Sequence, residues 1–249
     1  MGEFAALVEG LPPALLVYLR VQACLLAMPG YGERGLPARV KVGLALVLTP
    51  LFLPGSVGLG LATGPALVFA AMLELALGLV MGLQLRLMAV TLSIAASTIA
   101  ATASLSQLFG GETEMTPHPI GNLLHLAGLA LLMALGLPAL LAAYLAASFE
   151  VWPAAGLPPP GRLVPALVEL VARGFGLAMV LASPFILGGL LYQGITAVVG
   201  KVMPTLPVVF VGAPAAILLA LAGLALFAPA ILGVWADAVL GIDLEPLRP

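Results

Sequence analysis

Of the 249 residues, 62% are hydrophobic and only 8% charged, with a formal net charge of −2 and a mean hydropathy of +1.21. A water-facing surface needs roughly a quarter of its residues charged, so the bilayer or other apolar subunits must act as the solvent. The weak negative charge provides no basic field, which excludes nucleic acid as a partner.

Cys24 is the single cysteine, so neither an internal disulfide nor a cysteine-based metal set can form. The opening MGEFAALVEG carries Glu3 and Glu9 and no base, unlike a cleaved secretory signal. Ala6 breaks the myristoylation pattern.

Charged, Gly and Pro positions divide the chain into apolar stretches at about 11–31, 42–54, 65–85, 87–109, 122–147, 163–200 and 205–236. Barrel strands need short segments of alternating polarity, whereas these runs are apolar on all sides, which predicts membrane helices. Between the first two lies ERGLPARVKVGLAL, residues 33–46, holding three of the nine Lys and Arg: Arg34, Arg39 and Lys41. The plain reading is a topology marker at the lipid headgroups. The sharper one is a structural motif that docks against a partner.

The lengths do not suit a simple bundle, because a span needs about 20 residues to cross roughly 30 Å of hydrocarbon. Residues 65–85 and 122–147 satisfy that. Residues 42–54 reach only about 20 Å, and Pro50 and Pro54 interrupt their end. Residues 165–200 reach about 54 Å, with Pro184 near the middle favouring a kink. Bent hairpins packed against protein are the expected arrangement. Basic Arg34, Arg39, Lys41 and Arg86 against acidic Glu112 and Glu114 predict an outside N-terminus, with 32–41 and 86 inside and 110–121 outside. Lys201 breaks that alternation if 163–200 crosses once.

Glu74 falls near the centre of a full-length span, where an ionisable group takes a partner or costs several kcal/mol, and is functional by default. Its alternative role is a hydrogen-bonded or protonated lock between helices. Gly78 and Gly82 on the same stretch form a G-x-x-x-G pair that permits close backbone approach. Glu169 and Arg173 stand four apart with the acid first, the order of a neutralising helical ion pair. In residues 91–107, Ser93, Ser97, Ala101 and Ser104 give one thin face for tight packing. LFGGETEMTPHPIGN follows as an irregular linker broken by Gly110, Gly111, Pro117 and Pro119. Ser104, Ser106, His118 and His125 lie close in sequence, but without G-x-S-x-G or H-E-x-x-H they do not make a protease. A transporter using Glu74 remains open at this point.

Two blocks carry a family resemblance. RVQACLLAMPGYGERGLPARVKVGLALVLTPLFLP, residues 20–54, offers Arg20, Pro29, Pro37, Arg39, Val40, Lys41, Gly43 and Ala45. KVMPTLPVVFVGAP, residues 201–214, offers Met203, Pro204, Phe210, Gly212 and Pro214. Both resemble the corresponding blocks of the FliR/SctT family of type III export-gate membrane proteins, in matching order and separation.

The resemblance implies an all-α integral membrane fold of bent helical hairpins, with a FliP-like part at 1–160 followed by a FliQ-like hairpin at 161–249 turned at Lys201–Pro207. It implies a non-enzymatic pore subunit without cofactor, in the bacterial inner membrane at the flagellar basal body. Its implied partners are FliP-like and FliQ-like subunits, FlhB-like and FlhA-like components, membrane lipid and unfolded export substrates. The family's pore-closing loop falls by position on Gln107–Gly121, where GGETEMTPHP replaces the usual Asp-Pro. Gly110, Gly111, Met115 and Pro117 are its candidate residues, Met115 being the flexible apolar one. Arg20, Arg39, Lys41, Gly43, Glu74, Glu169, Arg173, Met203, Pro204, Gly212 and Pro214 are expected to serve structure and assembly. The alternatives are the virulence-secretion homologue and the stand-alone transporter. No G-x-x-x-x-G-K-[ST] loop occurs in the sequence, so nucleotide hydrolysis is assigned to a partner.

Overall fold

A computed structural model of the chain describes residues 2–33, 35–53, 64–103, 119–154, 160–202 and 208–242, and every regular element among them is a helix. In order these are α1 Gly2–Ala27, α2 Ala38–Phe52, α3 Pro65–Ala103, α4 Pro119–Ala134, α5 Leu137–Val151, α6 Pro160–Val202 and α7 Val208–Leu240. Helix breakers mark the boundaries. Pro65, Pro119 and Pro160 open α3, α4 and α6, where the missing N–H is no loss and the ring sets a helical φ. Gly136, at φ +100°, separates α4 from α5, a conformation that costs a side-chain-bearing residue about 1–2 kcal/mol.

Pro65–Ile99, Val164–Val202 and Leu218–Leu240 are long and apolar enough to cross a membrane. Gly121–Ala134 with Leu137–Val151, bent by 66°, add a fourth if the pair is one span. The chain is an α-helical integral membrane protein.

Two expectations change. Residues 65–85 and 87–109 do not form two spans joined at Arg86, because α3 runs unbroken through that position. One charge inside LQLRLM, among strong helix formers and without Gly or Pro, does not stop a helix, so Arg86 marks no loop. Conversely, the single span expected at 122–147 is two helices, since Gly136 and Pro138 break it. At Pro184, α6 continues as one helix, with the Ser183 hydroxyl donating to the Val180 carbonyl at 2.8 Å.

The residues form two compact units. The first comprises Met1–Met88, Leu132–Val171 and Val239–Pro249. In it α1 packs against α2 and α2 against α5, around Leu16, Leu25, Met81, Leu85, Leu137 and Leu145. The second comprises Ala89–Leu131 and Ala172–Ala238. Its core holds Leu92, Ile99, Leu181, Phe185 and Trp235. There Gly128 lets its helix approach Trp235, since a Cβ would sit 2.9 Å from the indole.

Candidate functional site

The buried face of α1 includes Leu16, Val17, Arg20, Val21, Cys24 and Ala27, the three-and-four spacing of a core-facing helix. One member is a cation. A buried charge is tolerated only when paired and hydrogen-bonded, and the partner comes from α3, whose buried face carries Ala70, Glu74, Leu77, Met81 and Leu85.

The two helices meet through glycine. A Cβ on Gly78 would run into the Arg20 carbonyl oxygen, and one on Gly82 would sit 2.5 Å from the Cys24 carbonyl oxygen and 2.6 Å from the Ala27 Cβ. The backbones therefore touch, as the G-x-x-x-G spacing predicts. Arg20 faces Gly78 and Cys24 faces Gly82, so α1 and α3 run side by side in the same direction. Glu74 lies one turn before Gly78 on that line, which brings its carboxylate to the guanidinium.

The pairing is bidentate. Arg20 Nε donates to Glu74 Oε2 at 2.6 Å and Nη2 to Oε1 at 3.0 Å, with both side chains at 0% exposure. Nη1 reaches α5, donating to the Ser148 carbonyl at 3.2 Å, the Ser148 hydroxyl at 3.3 Å and the Trp152 carbonyl at 3.0 Å. These groups lie at the end of α5, where the Ser148 carbonyl also accepts the Trp152 N–H at 2.9 Å and a cation complements the helix dipole. The Phe149 ring centroid lies 4.1 Å from the guanidinium carbon, a cation–π contact. Phe149 in turn stacks on Phe52 of α2 at 6.0 Å. A second polar tie joins α3 to α5, the Tyr144 hydroxyl donating to Gln84 Oε1. Arg20 thus binds α1, α3 and α5 together. This centre is sealed from solvent; its chemistry is cohesion.

The RVK motif divides. Lys41 shares the inward side of α2 with Ala45, Thr49 and Phe52, and its ammonium donates to the Glu33 carbonyl at 2.9 Å, tying the preceding loop to the helix. Arg39, two residues earlier, is about 200° away around the axis at 100° per residue. It is exposed and makes no hydrogen bond or ion pair among the described residues. Gly43 is exposed beside it, with nothing among the described residues within 4 Å of where a Cβ would sit.

Glu169 and Arg173 are both exposed on α6, four residues apart. Gly212 and Pro214 fall within α7. Gly110, Gly111, Met115 and Pro117 of the loop, together with Met203 and Pro204, lie outside the described residues. Ser148, Phe149 and Trp152 were not singled out from the sequence. One lone Arg and one lone Glu in separate apolar stretches was the available clue to the pair, since buried charges come in partners.

The model of the bacterial export proteins, family 1, matches residues 11–241. The chain belongs to this family. It is also 32% identical over 229 residues to the flagellar biosynthetic protein FliR of Caulobacter vibrioides, covering 90% of this chain and 91% of that relative. The family match begins before Arg20 and ends after α7, so it spans the arginine centre and both sequence blocks that carry the resemblance.

Proposed function

We propose that this chain is a structural pore subunit of the flagellar-type protein export gate, conducting unfolded substrates across the bacterial inner membrane and catalysing no reaction. The near end-to-end likeness to a flagellar biosynthetic protein FliR carries this reading, and it favours the flagellar over the virulence system. Helix dimensions support it. The 39 residues of α3 and 43 of α6 extend about 58 and 64 Å, roughly twice the hydrocarbon thickness. Exposed apolar side chains line α6 from Val164 to Val202. Lipid cannot cover such helices if they stand upright, whereas sister subunits can.

In this reading residues 1–160 form the FliP-like part and 161–249 the FliQ-like hairpin, with 107–121 closing the pore. FliP-like and FliQ-like subunits surround the chain, and FlhB-like and FlhA-like components supply substrates at the basal body. A stand-alone transporter needs Glu74 to exchange its proton or ligand, yet that carboxylate is enclosed by Arg20. Co-expression with FliP-like and FliQ-like subunits from the same source, followed by detergent purification, tests the proposal. A defined heteromer and restored motility in a strain lacking its own copy are the expected results. A solitary, well-behaved chain that moves a small solute would overturn it.

A further inference from the structure

Two kinds of glycine occur in the helices of the first unit. Gly78 and Gly82 have neighbours that forbid a side chain. Gly43 has none, although it lies inside α2, where glycine is the costliest residue after proline. Nothing among the described residues explains it. Around it the exposed side of α2 carries Arg39, Leu46 and Pro50 at spacings of three to four, flanked by Val40, Val47 and Leu51. Val47 is 75% exposed and Leu51 62%. The face is apolar with one cation near its start and a glycine at its middle.

We propose that this face is the docking seam for an apolar helix of another export-apparatus subunit, seated in the notch at Gly43 and presenting one carboxylate to Arg39. The inference rests on the export-gate reading and names the side of the chain that reading leaves open. Charge selects the occupant. Arg39 sits in the first turn of α2, which has no acidic residue and no side-chain cap, so a cation there opposes the helix dipole until an anion answers it. Lys41 is turned away from this face, its ammonium donating to the Glu33 backbone carbonyl.

Length argues against lipid as the cover. The 15 residues of α2 extend about 22 Å, short of the roughly 30 Å of hydrocarbon, and acyl chains have no use for a glycine notch. A close-packed helix does, because small residues let backbones approach and add dispersion contacts.

The test uses the full chain co-expressed with its export subunits, with a photo-crosslinking amino acid at Val47. The expected adduct joins Val47 to another export subunit, within a helix containing Asp or Glu. Arg39→Glu lowers the co-purified subunits about tenfold, Gly43→Leu does the same, and Arg39→Lys largely restores them. Because Arg39 is exposed and a Cβ at Gly43 meets nothing among the described residues, the variant chains should unfold in detergent no more readily than wild type. Adducts only to lipid, or to a second copy of this chain, overturn the seam while leaving the export-gate reading intact. So does an Arg39→Glu chain that retains its full complement. A wild-type chain that retains no export subunit overturns both.

Discussion

Glu74→Gln removes the charge opposite Arg20 while leaving an amide of nearly the same shape. The guanidinium then keeps the carbonyls of Ser148 and Trp152 and the Ser148 hydroxyl, all neutral, and loses its 2.6 and 3.0 Å bonds to a carboxylate. It cannot escape to solvent, since its exposure is 0%. Breaking one partner of a buried pair costs about 3–5 kcal/mol. At about 1.4 kcal/mol per tenfold, that lowers the folded-to-unfolded ratio more than a hundredfold. Replacing both partners, as in Arg20→Met with Glu74→Leu, leaves no orphan charge and should cost far less than the sum of the single changes. Trp152 abuts the site and Trp235 belongs to the other unit. Denaturant unfolding in detergent, followed by Trp152 fluorescence in a Trp235→Phe background, reads the effect locally. A Glu74→Gln chain within about 0.5 kcal/mol of wild type, or a strictly additive double variant, would refute the argument that this pair holds the unit together.

Other outcomes follow from the same geometry. Gly78→Val drives bulk into the Arg20 carbonyl and should destabilise by about 3 kcal/mol, whereas Gly43→Ala in the isolated chain should stabilise by about 1 kcal/mol; melting temperatures in detergent distinguish them. Gly136→Ala places a Cβ at φ +100° and should cost about 1–2 kcal/mol, seen as a lower melting temperature. Deleting residues 110–119 from the assembled gate should raise ion leakage with assembly intact, measured as membrane conductance; unchanged conductance would reject the loop as a pore seal.

Much of this protein follows from composition and local pattern. Unbroken apolar runs in a chain with so few charges dictate helices in a bilayer, because only helices and closed barrels satisfy their backbone there and barrel strands need alternating polarity. Spacing alone marked Gly78 and Gly82 as a close-approach pair on the stretch that carries Glu74, whereas Pro119, read as part of an irregular linker, opens α4. Local punctuation was harder to weigh. Arg86 read as a loop although one charge cannot stop a helix, and Gly136 passed unnoticed within an apolar run although its φ of +100° turns the chain.

The arginine centre belongs to the tertiary structure. Arg20 and Glu74 lie 54 positions apart, and Arg20 and Trp152 lie 132 apart. A helical period says which residues share a face but not which face meets which. That choice was made by steric fit, where glycines let α1 and α3 touch and so carried a carboxylate to a cation. The same packing turned Lys41 inward and left Arg39 facing out, a distinction no reading of the triplet RVK alone contains, because it depends on which side of α2 the rest of the chain covers.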